Sequence, residues 1–468
     1  MNNWRKGSFI AGFFGGRVMA PLVVAALLRL GVMIVAFFLT GTKVMTQGDT
    51  ASYLEPGRNL IEHGAFTTAG APETDRTPGY PLFAMFSGMV FDNVLLTVVV
   101  QVAVALVSLL LVWRIADRIF PRSHAGVMAA WLFAIEPLSI TYTVRVMPET
   151  VFVLLLLLCI EGVLIFLETA RLKVLGVAGL VLAAATFVRP ISYYLGFALA
   201  LGIAFTAPRQ RGLWWKAPAV FLVAFLPWLA GWQMRNKIET GYSGFSSIVE
   251  TNLYFFQSAE VSAEVQHISL GEEQKRLGYL SAGDYLAAHP EQVNWTETQK
   301  LKFMRSQSVQ ILAAHPWIYL RSHVAGVGVV ALTPCATELL QLFRAYPMDD
   351  AMPHRIVNEG IVASLEKVLA NHPGVMIAMG LLEVFLLLLY LSAARACLAA
   401  GIENLAMITV VGIVFYFLLI SGGAQAVGRY RLPVMPLLCI LAAGGVALSR
   451  QTKLRGHHSL AIEIGEIA

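Results

Sequence analysis

Apolar blocks of roughly 15–22 residues alternate with short polar connections along the chain, the length of a membrane-crossing helix rather than of a barrel strand. The blocks run Val18–Leu39, Val94–Trp113, Gly126–Tyr142, Thr150–Leu167, Val174–Val188, Ile191–Ala207, Ala217–Met234, Gly374–Leu391, Leu405–Ile420 and Leu432–Leu448. Basic residues fall at alternate block ends. Arg5, Lys6 and Arg17 precede the first block; Arg114, Arg118 and Arg122 follow the second. Arg171 and Lys173 follow the fourth, Arg209, Arg211 and Lys216 the sixth, Arg395 the eighth, and Arg450, Lys453 and Arg455 the last. The positive-inside bias places those ends in the cytoplasm and predicts about ten spans. Trp317–Leu332, interrupted by Arg321 and His323, is read as interfacial so that the count stays even. The first block lacks a small-residue cleavage site and is read as a retained helix.

This pattern predicts an all-α polytopic membrane protein in three parts. Residues 1–236 form a seven-helix module with a first outer loop at 40–93, in which the short run Gly79–Phe91 is an interfacial or re-entrant helix. Residues 237–372 form a periplasmic and interfacial region, including a small helical domain with a helix at Glu297–Ala314. Residues 373–468 hold the C-terminal spans and a cytoplasmic tail.

Composition agrees. Of 468 residues 57% are hydrophobic and 13% charged, about half the charged share of a soluble domain, and the mean hydropathy is +0.67. The net charge of +5 reflects Lys and Arg in short loops, so topology and not nucleic acid accounts for it. Cys159, Cys335, Cys397 and Cys439 show no paired spacing. His63, His289, His315 and His372 show no ligand spacing, so neither a metal site nor a cofactor is expected.

Charge beside a membrane is costly unless hydrated or used, which directs attention to the first outer loop. Asp49, in a Gly-Asp-Thr turn, has two readings: a helix cap, or a general base near a lipid head group. Asp75-Arg76-Thr77-Pro78-Gly79-Tyr80-Pro81 holds the chain at a defined angle, with Arg76 suited to bidentate phosphate binding and Tyr80, suited to the interface, a candidate for the same donor-phosphate site. Arg429 and Arg431, in Gly428-Arg429-Tyr430-Arg431-Leu432-Pro433-Val434-Met435-Pro436, stand on the outer side against the positive-inside bias, which calls for an anionic partner. Arg189 and Arg235 also close outer helix ends and are candidates for the same phosphate pocket. Glu149 opens the fourth block, where a helix dipole or an acceptor could use it. Glu161 and Glu383 lie inside apolar blocks and receive no role.

A first-loop acid, R-x-P-G-Y-P, an outer Glu at the fourth block, Pro-Trp…Arg-Asn before the large outer loop, and RYRLPVMP at the last block together resemble the GT-C glycosyltransferases. The likeness is to the bacterial branch akin to protein mannosyltransferases and the lipid A aminoarabinose transferase. It implies a polyprenyl-phosphate sugar donor, an acceptor hydroxyl on lipid A, a glycan or protein, and inverting displacement at the periplasmic side of the inner membrane. It implies Asp49 as base and Arg76 and Arg429 beside the donor phosphate. Many relatives carry a second acid in this loop; here Thr50 follows Asp49, leaving Asp75 or Glu149 for that role. A lipid or polysaccharide transporter and a non-catalytic envelope-assembly subunit are the competing classes.

Overall fold

The computed structural model describes residues 17–121, 123–207, 212–347, 361–371, 373–401 and 404–448. Arg5, Lys6, Arg122, Arg209, Arg211, Arg450, Lys453 and Arg455 lie outside them. Helices occupy all ten apolar blocks. Among the described residues the only strands are Thr67–Thr68 and Ala71–Pro72, an antiparallel pair in the first outer loop.

Among the described residues six helices are long and apolar enough to cross a membrane: Met19–Thr40, Val94–Ile119, Glu149–Thr169, Leu213–Thr240, Pro373–Ala399 and Gly428–Leu448. The number is eight if Ala125–Ala134 with Pro137–Thr143, and Pro316–Leu332 with Ala336–Leu342, each form one bent span. Leu172–Val188, Pro190–Thr206 and Leu405–Ile420 are shorter, so length and composition do not establish the expected ten. Trp317–Leu332, expected to be interfacial, belongs to one of the bent pairs.

At each bend side chains satisfy the freed backbone groups. A broken helix inside a membrane leaves carbonyls at one end and N–H groups at the other, and each needs a partner. At the first break, bent by 55°, Glu136 accepts from Leu138 N at 2.9 Å and Ser139 N at 2.6 Å. Arg29, 1% exposed, donates to the carbonyls of Ala134 at 3.0 Å and Phe133 at 3.4 Å. At the second break, bent by 45°, Arg431 donates to the carbonyls of Val330, Ala331 and Thr333 at 2.7–2.9 Å.

Glu161, another intramembrane carboxylate, is held by Arg114 and Arg118, each at 3.0 Å. Those arginines therefore neutralise a buried acid as well as marking a helix end.

The main core runs through the helix bundle. A second, smaller core, built from Tyr242, Tyr254, Phe255, Tyr285, Leu301 and Met304, organises the short helices between Ile248 and Ala314. The expected helix Glu297–Ala314 forms, with Thr296 and Gln299 as a capping box.

The loop at 40–93 is fastened to two other segments of the chain. Val146 N donates to Met45 O at 2.7 Å, and Thr50 Oγ1 to Val146 O at 3.1 Å. Ser247 N donates to Thr74 O at 3.0 Å. Gly79 starts the short helix Gly79–Ser87 directly against the end of Leu172–Val188; a Cβ there would lie 2.6 Å from the Phe187 backbone. This close approach brings the loop that carries Arg76 beside Arg189.

Candidate active site

Asp49 immediately precedes helix Thr50–His63, yet its side chain makes no capping hydrogen bond. It points instead to Arg429, whose Nη2 donates to Asp49 Oδ2 at 2.6 Å. Arg76 Nη2 stands 3.9 Å from the other oxygen, Oδ1. Two guanidinium groups from opposite ends of the chain thus flank one carboxylate.

Arg76 is aimed by residues one turn beyond Asp49, a spacing that puts them on the same helix face. Its Nε donates to Ser52 Oγ at 3.0 Å and its Nη1 to Tyr53 Oη at 3.2 Å. The guanidinium lies 4.4 Å from the Tyr53 ring centroid, a cation–π contact. Beneath Tyr53 sits Tyr80, edge-on at 5.4 Å and fully buried, its hydroxyl donating to Gln101 at 2.9 Å. Gln101 in turn donates to the carbonyls of Thr143 and Arg145. Tyr80 is thus a support for Tyr53.

Arg189 and Glu149 form the adjoining pair. Arg189 Nη1 donates to Glu149 Oε1 at 2.9 Å, and Glu149 is 1% exposed. The ring of Tyr430 links the two pairs, 6.0 Å from the Arg189 guanidinium and 5.5 Å from that of Arg429. Glu149 Oε2 and Arg429 Nε are buried without a hydrogen-bond partner among the described residues. An unmet acceptor and an unmet donor at one site are the groups a polar ligand can satisfy.

Electrostatics follow from this geometry. Burial alone would raise the Asp49 pKa. Arg429, then Arg76 and more distantly Arg189 outweigh it, and the carboxyl is held below its usual range. Asp49 is therefore ionised and strongly paired.

Three residues expected in the phosphate pocket hold other groups of the chain in this structure. Arg235 donates to the carbonyls of Glu73 at 2.6 Å and Phe66 at 2.9 Å, clamping the first loop. Arg431 is 2% exposed and bonded to the three carbonyls at the second helix break. Tyr80 has its hydroxyl buried on Gln101. Of the two candidate second acids, Asp75 turns to the segment after Leu213–Thr240: its carboxylate accepts from Ser247 Oγ and its carbonyl from Ser246 Oγ. Among the described residues no group of three or more His, Cys, Asp or Glu side chains gathers around a possible metal position.

Residues 75–231 match the family described as dolichyl-phosphate-mannose-protein mannosyltransferase. The chain resembles the GT-C glycosyltransferases. The match takes in Arg76, Tyr80, Glu149 and Arg189 and stops short of Asp49 and Arg429. Among solved structures the chain is similar to the archaeal oligosaccharyltransferase AglB from Archaeoglobus fulgidus, solved in complex with an inhibitory peptide and a dolichol-phosphate. Identity is 14% and the TM-score 0.47, over 97% of this chain and 52% of that one. The chain thus spans about half the length of that relative. No curated protein matches it.

Sequence reasoning about this GT-C-like chain missed Ser52, Tyr53 and Tyr430. The first two were open to inference, being three and four residues beyond Asp49 in a helix. Tyr430 sits between two arginines already singled out.

Proposed function

We propose that the chain is a polytopic membrane glycosyltransferase that moves a sugar from a polyprenyl-phosphate donor to an acceptor hydroxyl on a lipid, glycan or protein. The reaction is assigned to the outer, periplasmic face of a bacterial inner membrane, with Asp49 as general base. The carrying observation is the convergence of Arg429 and Arg76 on Asp49. The matching family adds support, since its description names a dolichyl-phosphate mannose.

The acceptor oxygen attacks the anomeric carbon as the bond from that carbon to the phosphate oxygen breaks. The bonding electrons leave on the lipid phosphate and the acceptor proton passes to Asp49. A positioned base contributes typically 10²–10⁴-fold. Charge growing on the leaving phosphate is met by Arg429 and Arg76, cations already fixed in a partly dry site. Glu149 has its own cation in Arg189 and serves to place it. In the ligand-free protein the two donor-side arginines neutralise Asp49. A phosphate that takes them over frees the carboxylate to accept a proton, so base strength rises when the donor is in place.

Purified protein with radiolabelled dolichyl-phosphate mannose and a bacterial membrane extract tests this. Label should pass from the donor to an acceptor product. If labelled donor binds and is never consumed with any extract, the enzyme reading fails, and a transporter or assembly subunit takes its place.

A further inference from the structure

The backbone that carries Arg76 is held by a different part of the chain from the one that aims its guanidinium. Three successive carbonyls lead up to it, and each accepts from residues 235–247. Glu73 O takes Arg235 Nη1 at 2.6 Å, Thr74 O takes Ser247 N at 3.0 Å, and Asp75 O takes Ser246 Oγ at 2.6 Å. The N–H groups of Asp75 and Arg76 turn to Glu73 Oε1, at 2.5 and 2.9 Å. Side chains continue the contact. Ser247 Oγ stands 2.8 Å from Thr74 Oγ1 and donates to the Asp75 carboxylate. A hydroxyl has one proton, so Thr74 is the donor to Ser247.

Ser247 directly precedes helix Ile248–Asn252, a position where serine commonly caps the first turn. Its side chain makes no such bond. The hydroxyl is turned away from its own helix and given to the loop that carries Arg76. Ser246 and Ser247 are both buried, so water does not compete for these bonds. They are anchored from behind as well. Ser246 O accepts from Tyr242 Oη at 3.0 Å, and Tyr242 belongs to the smaller of the two cores.

We infer that Ser246 and Ser247 are positioning residues for Arg76, setting the backbone from which its guanidinium reaches the donor phosphate. This rests on the donor-site reading of Arg76. Ser52 and Tyr53 hold the tip of that side chain, and they can do so only while its base stays in register with them. A long side chain passes a displacement at its Cα on to its fork. Bidentate grip on phosphate has a fixed geometry, and a shift of about 1 Å in a reacting site is enough to cost most of its effect. The two serines therefore make donor affinity depend on the segment after helix Leu213–Thr240 as well as on the loop at 40–93.

The test uses the full chain in lipid nanodiscs, with radiolabelled polyprenyl phosphate as the probe. Ser246→Ala with Ser247→Ala removes both hydroxyls and should weaken binding about tenfold. Added to Arg76→Ala, the same two substitutions should change binding by less than about twofold, because no guanidinium is left for them to position. A serine effect undiminished in the absence of Arg76 overturns the proposal, and so does full affinity in the double-alanine variant. If that variant fails to fold, Thr74→Cys with Ser247→Cys replaces two hydroxyls 2.8 Å apart by a pair that oxidation can close. The reduced form should then bind more weakly than the oxidised form, and equal binding overturns the proposal. Hydrogen exchange on the same samples should be faster over residues 68–78 once the serine hydroxyls are gone; unchanged exchange there also overturns it. If wild type binds no polyprenyl phosphate while exchange over 68–78 still responds to the serines, the donor reading fails and the positioning of Arg76 stands.

Discussion

Arg429 donates to Asp49 across 380 residues of sequence at 2.6 Å, and the contact takes the aspartate away from the helix N-terminus it precedes. The bond separates two roles that the same residue type serves equally well. An Asp that caps a helix contributes about 1 kcal/mol to its stability. One held between two guanidinium groups keeps its charge without serving the helix.

Asp49→Asn should therefore be nearly neutral for folding and severe for turnover. With no cap to lose and a partly exposed ion pair worth at most about 1 kcal/mol, thermal stability should barely change. Transfer of radiolabelled sugar should fall at least about 100-fold while donor binding persists. Retained activity in Asp49→Asn, with loss in Asp75→Asn or Glu149→Gln, would move the base to the other carboxylate.

The pH profile should distinguish the free from the loaded enzyme. The Asp49 pKa is depressed in the free protein, so its ionised, paired form persists as pH falls until the pH passes below the ordinary carboxylate value. The acid limb of kcat/KM for donor should lie below that value. Once the donor phosphate engages Arg429 and Arg76, Asp49 loses cationic support, and the acid limb of kcat should move up by about one unit or more. Coincident limbs in the two profiles would mean that the donor does not draw the arginines from Asp49.

Arginine substitutions should sort by what each guanidinium already holds. Arg429→Ala should weaken polyprenyl-phosphate binding, and Arg429→Lys should restore it only in part, because an ammonium lacks the planar fork. Arg431→Ala should instead lower the melting temperature, losing about 3 kcal/mol or more as three buried carbonyls lose a charged donor. Donor binding impaired by Arg431→Ala in a fully folded sample would return that residue to the phosphate pocket.

Glu149 and Arg189 should behave as a unit. Removing either partner of a buried pair costs about 3–5 kcal/mol, whereas neutralising both costs less than the sum. A double-mutant cycle of Glu149→Gln and Arg189→Gln, followed by chemical denaturation, measures the coupling. Additive effects would show that the pair does not act together.

Span number is open to reporter fusions. Reporters after Gly70 and Ser258 should read external, and one after Ser123 cytoplasmic, following the Lys/Arg bias. The fusion after Gly360 decides the bent pair Pro316–Leu332 and Ala336–Leu342: an external reading keeps the count at ten, and a cytoplasmic one makes that pair a span.

The helices, their approximate ends and the alternation of basic ends were legible along the chain because each depends on local composition. A run of apolar residues forms a helix in lipid whatever its neighbours, since its backbone must satisfy itself. Asp49 and Arg76 stood out as charges in the loop between the first two apolar runs, and Glu149, Arg189 and Arg429 as charges at the edges of such runs. What linear sequence leaves undetermined is which of several arginines is free to bind a ligand. A guanidinium reads alike at Arg235, Arg429 and Arg431. Only the fold supplies the carbonyls that occupy Arg235 and Arg431, and the carboxylate that pairs with Arg429. Arg29 and Glu136, hidden inside apolar runs, show the same division: their hydrogen-bond duties arise from a helix break that exists only once neighbouring helices meet. Composition and period determine the elements, whereas partner choice among identical charged groups depends on distances of a few ångströms between residues hundreds apart.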